Sequence, residues 1–539
     1  MKKLNFFILR IISFYCLTAQ AQETLLPSHW ANSHIDYLKV RGYLPELWVI
    51  ERPYTRQQIA EQLLQVEWDQ LKEQKRDKGI VKLLYREFTP EMRLLGNSKD
   101  SKWQSLIKKA IDYLQIRFFP ETVDPRLKLG AYGEINYLNS NKADNEVGFF
   151  ANTQAGLFWK DFLTLYNSVK IFDDRPPNYI GKEFRGLHAF VEQGYIAVNL
   201  DWLDVKFGRD FKQLGPGRSS QLLISDNSRT FDMYQVRLGK KFLQFSFWGM
   251  FLDRTRNSQS GTAANRYLNG HRIGLNIKNK LFFGFSEVAL YGGPGRVWEL
   301  GFMNPLGVYY AHNVNHEGGV PDANLLYNLD WDLYLFPNWE IYGEFLIDDF
   351  QVDNEEPRDL EPNELGLIAG ANWSNPVGLK GGLFNFEYVQ VRNRTYNIAE
   401  NEWNKYLHRN RVIGHALGNN FWGFSSALSY WFKPELNVKL FGNLTRQGEG
   451  SVQGEFNEDF LNFTVEEGYS EPFPFGIVER RWQYGLSAFY KPHDAGHISI
   501  DLTFNDFNNF QHISGNTFSE FTFRIALWLQ WSNLWAFNK

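Results

Sequence analysis

After Pro125 the side chains alternate between apolar and polar with a period of two, and no other feature of this sequence constrains its fold as tightly. Ile498, Ile500, Leu502 and Phe504 alternate with Ser499, Asp501, Thr503 and Asn505. Phe521, Phe523, Ile525, Leu527, Leu529 and Trp531 form a second apolar row. Leu127, Leu129, Ala131, Gly133, Ile135 and Tyr137 form a third, set against Lys128, Tyr132, Glu134 and Asn136. Successive side chains of a strand point to opposite faces, so each row belongs to a strand with one greasy face and one wet face. Residues 196–200 and 203–207 read as a hairpin closed around Asp201-Trp202.

A soluble β-sandwich shows the same alternation, so the choice of solvent rests on other features. Past the N-terminus no run approaches the ~20 apolar residues that a membrane helix needs, and the mean hydropathy is −0.40. Aromatic residues nevertheless make up 17% of the chain, which is high for a water-soluble domain. They crowd strand ends, as in Phe247-Trp248, Tyr309-Tyr310, Tyr430-Trp431-Phe432 and Trp528, Trp531, Trp535, a placement that suits interfacial girdles. Helical runs long enough to cover a sheet face are missing after Pro125, and the chain ends in a long amphipathic strand region. A chain that meets lipid through alternate residues is a β-barrel. The expected fold is therefore mainly β, a large antiparallel outer-membrane β-barrel. At ~10 residues per strand the available length fits about 16 to 18 strands, with eighteen preferred.

The N-terminus differs in kind. Lys2 and Lys3, the largely apolar stretch 5–17 and Ala19-Gln20-Ala21 read as a cleavable signal peptide over residues 1–21. The single cysteine, Cys16, falls inside it, so disulfides and thiol metal sites are not expected in the mature chain. Residues 22–118 read as a small α-helical domain on the periplasmic side, with 119–539 forming the barrel. Ile35 and Leu38 before Gly42 predict a short helix ended by a glycine. Thr55 and Gln58 have capping-box spacing ahead of Ile59, Leu63 and Val66. Further helices are expected over 80–95 and 103–114.

The net charge is −4 at pH 7, and loss of Lys2, Lys3 and Arg10 with the signal peptide makes the mature chain more acidic still. Nucleic-acid binders need a basic face, so nucleic acid is not an expected partner. Long polar stretches at 352–364, 393–411 and 447–476 supply outer loops, two of them strongly acidic.

The most distinctive stretch runs Phe207-Gly208-Arg209-Asp210, then Leu214-Gly215-Pro216-Gly217-Arg218, then Leu222-Leu223-Ile224-Ser225-Asp226-Asn227. A second Gly-Pro-Gly-Arg spans 293–296, followed by Asn304-Pro305-Leu306. Each Gly-Pro-Gly is a sharp turn, with proline fixing one φ and the next glycine free to take a positive one. The functional alternative is that Arg209, Arg218 and Arg296 line the lumen and hold an anionic saccharide by forked hydrogen bonds. This combination of Gly208, Arg209, Gly215, Pro216, Gly217, Ser225, Asp226, Asn227, Asn304 and Pro305 resembles the capsule-assembly outer-membrane proteins of the Wzi family. The layout, a helical N-terminal region before one large barrel, extends the resemblance over most of the chain. It implies an eighteen-stranded barrel that acts as a surface lectin and retains capsular polysaccharide or exopolysaccharide. The implied partners are that polysaccharide, outer-membrane lipid and the polysaccharide-export machinery, with no cofactor and no metal. A diffusion channel for anionic or sugar solutes shares the fold and stays open as the alternative.

Enzymatic readings fare worse. There is no Gly-x-Ser-x-Gly elbow, and Asp173-Asp174 runs into Arg175-Pro176-Pro177 as a turn would. His312 and His316 are spaced i, i+4, which favours a metal only on a helix, and their segment reads as a loop. Trp403, Tyr406 and Trp422 are candidate sugar-stacking platforms, with barrel packing as the alternative.

Overall fold

The computed structural model describes residues 23–536 apart from 70, 72–73, 95–124, 160–162, 174–181, 201, 257–260, 316–322, 352–354 and 400–401. The expected signal peptide and the helix expected at 103–114 lie outside the described residues.

Four helices open the described chain: α1 (Ala31–Val40), α2 (Arg56–Leu64), α3 (Lys75–Glu87) and α4 (Thr89–Leu94). At the end of α1, Gly42 takes φ +83°, its N–H reaches Lys39 O at 2.9 Å and that of Tyr43 reaches Leu38 O at 3.0 Å, the double bond of a glycine-terminated helix. Thr55 and Gln58 form the expected capping box at the start of α2.

Eighteen long strands follow, each antiparallel to the next. They are β1 (Pro125–Ser140), β2 (Glu146–Trp159), β3 (Leu163–Phe172), β4 (His188–Asn199), β5 (Leu203–Asp210) and β6 (Phe231–Lys240). Next come β7 (Leu243–Phe251), β8 (Ala263–Ile277), β9 (Leu281–Gly293), β10 (Ala323–Leu333), β11 (Trp339–Asp349) and β12 (Glu364–Ser374). The last six are β13 (Gly382–Val391), β14 (Phe421–Lys433), β15 (Leu436–Gln447), β16 (Glu479–His493), β17 (Gly496–Asn508) and β18 (Thr517–Ala536). β18 pairs with both β17 and β1, from Arg126↔Ala536 to Ser140↔Thr522, so the sheet closes and exposes no long edge. The alternation sets the two walls: Leu129 and Ile135 point outward, while Lys128 and Tyr132 point into the lumen and are buried.

One rim carries short connections, such as 241–242, 278–280 and 434–435, and the other carries long ones, including 211–230, 392–420 and 448–478. The helices fill the short-turn mouth. Their apolar faces, with Ile35, Leu38, Ile59, Leu63, Ile80 and Leu84 fully buried, close on the inward wall residues Phe282, Tyr334 and Trp431. Each such side chain contributes about 1.5–3 kcal/mol on burial. Polar contacts tie the helices to the turns, among them Tyr37 to Asn375 and His34 to the Pro434 carbonyl at 3.2 Å.

From the opposite rim, loop 211–230 folds into the lumen. Leu214, Leu222, Leu223 and Ile224 pack there on Trp248, Met250 and Leu290 of the wall and on Tyr396 and Tyr406 of loop 392–420. The two fillings meet. Glu51 and Arg52 of the helical region pair antiparallel with Leu214 and Gln213, and the Gly215 N–H donates to Ile50 O at 3.0 Å.

The aromatic expectation needs correction. Trp248, Trp431 and Trp528 point inward as packing residues, whereas Phe432 and Trp531 are exposed on the outer wall. Strand phase, not position near a strand end, decides which aromatics face outward. Residues 297–314 of the long connection between β9 and β10 fold down over the outer wall. This stretch carries two short helices, α5 (Leu300–Met303) and α6 (Tyr309–Val314), so His312 is helical and not in a loop. His316 lies outside the described residues.

Candidate functional site

The Gly-Pro-Gly turn is a seat for a carboxylate. Glu344 of β11 accepts the N–H of Gly217 and that of Leu222, each at 2.8 Å. A Cβ on Gly215, whose φ is +113°, would lie 2.2 Å from the Glu344 carboxylate, so glycine is required on steric and backbone grounds together. Next to it, Glu387 of β13 accepts the Arg218 N–H at 2.7 Å and the Ser219 N–H at 3.0 Å. The Arg218 guanidinium joins three parts of the molecule, reaching Glu340 on the wall and Asp36 of α1 at 3.1 Å. Burial works to raise the Asp36 carboxyl, yet Arg218 and Arg52 beside it hold it below the usual carboxylate range. Arg218 therefore lies in the lumen, engaged in closing it.

Arg209 and Arg296 are placed otherwise than expected. Arg209 sits on the outward phase of β5 and forms a forked pair with Asp232, with contacts of 2.8 and 2.6 Å. Arg296 lies on the outer wall, bonded to Glu299 at 2.7 Å and set 5.0 Å over the Tyr291 ring. The positive φ of Gly208 (+129°) and the outward excursion of the β9–β10 connection are tertiary features that a linear motif does not reveal. Asn304 and Pro305 lie in that connection, between α5 and α6, with Asn304 Oδ1 accepting the Leu306 N–H at 3.1 Å.

The Ser-Asp-Asn segment is stitched to loop 392–420. Ser225 donates through Oγ to Gly414 O at 2.6 Å, and Asn227 donates through Nδ2 to Val412 O at 2.9 Å. Tyr406 is buried, with its hydroxyl donating to Leu223 O at 2.9 Å, so it is a packing residue and not a sugar platform.

Asp226 and Asn227 also border a cleft of about 740 Å³ inside the barrel mouth at the long-loop end. Its wall side is built from inward residues of β1–β4, namely Asn136, Phe150, Lys170, Phe172, Phe190 and Glu192. Arg229 comes from the inner loop, Arg411 from loop 392–420 and Arg524 from β18. A β-bulge between β3 and β4 pairs Ser168 with Gln193 and Val169 with Val191, which leaves Glu192 as the extra residue aimed inward. Glu192 accepts from Tyr132 at 3.0 Å and Asn152 at 2.8 Å and pairs with Lys170 at 3.5 Å. Lys170 lies 4.3 Å over the Phe150 ring and Arg229 5.4 Å over that of Phe190. Flat apolar rings beside fixed charged donors and acceptors suit a sugar ring, which presents apolar faces and a belt of hydroxyls. Of the motif residues read from the sequence, Asp226 and Asn227 lie at this cleft. The motif missed the aromatic and basic residues, which come from separate strands; their shared inward phase was the available signal.

A closed antiparallel barrel with an even strand number, an apolar outer wall, short turns at one rim and long loops at the other is an outer-membrane β-barrel, here with its lumen occupied from both ends. The chain belongs to the Wzi capsule-assembly family: a family model described as "Capsule assembly protein Wzi" matches residues 129–516. Among solved structures it resembles Escherichia coli Wzi, described as an outer-membrane, carbohydrate-binding β-barrel involved in group 1 capsule assembly. The identity is 13% and the TM-score 0.56, with 95% of this chain and 99% of that chain covered. Pseudomonas aeruginosa OprD superposes less completely, with 11% identity, a TM-score of 0.43 and coverage of 76% of this chain and 94% of that one. No curated protein sequence matches the chain.

Proposed function

We propose that this barrel is a non-enzymatic lectin that retains capsular polysaccharide or exopolysaccharide at the cell surface, with its helical region on the periplasmic side. One observation carries the reading: the aromatic and charged cleft opens at the long-loop end of a barrel whose lumen is entered from that rim by loop 211–230 and from the other by the helical region. In barrels of this kind the long loops are extracellular and the short turns periplasmic. The helices that fill the short-turn mouth thus face the periplasm, where export machinery is accessible to them. Phe150, Phe172 and Phe190 supply stacking surface, while Lys170, Glu192, Asp226, Arg229 and Arg411 supply hydrogen bonds to hydroxyl and carboxylate groups. The diffusion-channel alternative has no comparable support, since loop 211–230 and the helical region pair with one another inside the barrel.

A deletion strain scored for cell-bound against shed polysaccharide tests the proposal. Deletion moves polysaccharide to the medium, a plasmid copy reverses this, and a copy carrying Phe190→Ala with Arg229→Ala fails to reverse it while reaching the outer membrane at normal levels. An unchanged ratio in the deletion strain overturns the attachment function. Full reversal by the double variant removes the cleft from it.

A further inference from the structure

The connection between β9 and β10 descends over the outer wall of the barrel, and its construction points to a hydrocarbon surface. Its inner face is aromatic. Phe302 stacks on Tyr291 with ring centroids 4.6 Å apart, Tyr309 lies 4.5 Å from His271, and Trp298 lies 4.3 Å from Phe251. Beneath it are polar groups on the outward phase of the strands. His271 pairs with Glu287 at 3.0 Å, and Glu287 also accepts the Tyr310 N–H at 3.0 Å. Asn269 bonds to the hydroxyls of Tyr234 and Tyr291. Bare in a hydrocarbon medium, these groups would each cost several kcal/mol. The connection covers them.

Its other face is bare and apolar. Leu300 and Leu306 are each 83% exposed, Val297 67%, Val308 60% and Tyr310 58%. Between residues 297 and 314 the only Asp, Glu, Lys or Arg is Glu299, and Arg296 neutralises it. The loops at 350–363 and 448–478, by contrast, are rich in Asp and Glu. The apolar face is continuous with the outward wall, where Ile273 and Phe285 lie two residues farther from the loop rim than His271 and Glu287. Glu287 lies six residues below the end of β9 at Gly293, which for a strand tilted by ~40° is a descent of about 15 Å. The connection therefore reaches the middle of β9 on the outward wall.

We propose that residues 297–314 form a lipid-facing hairpin whose apolar face contacts acyl chains of the outer leaflet, sealing a polar strip of the barrel wall from hydrocarbon. This is independent of glycan binding in the lumenal cleft.

The test uses the full-length protein in a Cys16→Ser background with a single cysteine at Leu300→Cys or Leu306→Cys, labelled with an environment-sensitive fluorophore. The protein is reconstituted in phosphatidylcholine vesicles bearing an acyl-chain nitroxide, or exposed to aqueous iodide. Ile273→Cys on the barrel wall and Glu466→Cys on an acidic loop serve as references. All four positions are exposed, so folding is retained, and heat-modifiable migration verifies it. The expected result is acyl-chain quenching at 300 and 306 at least twofold above that at 466 and close to that at 273, with iodide giving the reverse order. Iodide quenching at 300 and 306 equal to that at 466 overturns the proposal. Protection from both quenchers that grows with the protein-to-lipid ratio also overturns it, since a second copy of the chain then covers the face.

Discussion

Glu344 accepts two backbone N–H groups from a turn whose glycines leave room for its carboxylate. Truncation to alanine strands both donors inside the barrel, at about 1–3 kcal/mol each. Glu344→Ala is therefore expected to lower the unfolding midpoint in detergent, read from the loss of the heat-modifiable band, and Gly215→Ala to act in the same direction by displacing the carboxylate. His34 governs a second residue-scale property. Burial among Trp30, Trp431 and Phe489 pushes its imidazole down to about 4 from an ordinary 6.5, against the opposing bond to the Pro434 carbonyl. A lowered folded-state value means that the undocked helix binds the extra proton more readily. Docking is thus at full strength above pH 6.5 and weakens as pH falls from 6.5 towards 4, by about 2 kcal/mol at pH 5. Hydrogen exchange of α1 amides is expected to quicken between pH 6.5 and 5 beyond the intrinsic pH trend, and His34→Asn should remove that component.

Helices and loop act as two halves of one seal, joined where Glu51-Arg52 pairs with Gln213-Leu214 and where Asp36 meets Arg52 and Arg218. Removing the shared carboxylate leaves two largely but not fully buried guanidinium groups short of a partner, at a cost of about 1–3 kcal/mol. Asp36→Ala should raise exchange in both α1 and residues 211–224, far apart in sequence, while strands β14–β17 stay protected. Change confined to α1 would show that the two halves do not share a seam. Much at this scale was legible beforehand. Gly42 and the Thr55/Gln58 pair marked helix ends, because caps are local chemistry. The hairpin around residue 202 was legible for the same reason, its two apolar rows lying a few residues apart.

At the scale of the whole molecule, the meeting of loop and helices inside the barrel makes a prediction about current. Planar-bilayer recordings of the intact protein are expected to show no steady conductance above baseline; a stable open level at neutral pH would show that the junction of loop 211–230 with the helical region does not seal the barrel, and would restore the channel alternative. The same closure explains why the arginines were hard to place. Arg209, Arg218 and Arg296 look alike in sequence, each following a glycine near a turn. Strand phase and loop direction send the first outward, the second to the centre of the barrel and the third onto the outer wall.

The sequence by itself determined the barrel and its family and narrowed the strand count to about 16 to 18, because period-two patterning and short turn motifs are written in neighbouring residues and need no partner to be read. Tertiary structure decided the rest. Whether a loop falls into the lumen or over the outer wall depends on which distant surface buries its apolar residues and pairs its polar groups. Loop 211–230 found Glu344, Glu387 and the helical region inside, and residues 297–314 found Tyr291 and His271 outside. Likewise the cleft exists only because β1–β4, β18 and two loops converge on one volume. Its residues are far apart along the chain and share nothing in sequence except, on the strands, the inward half of a two-residue repeat.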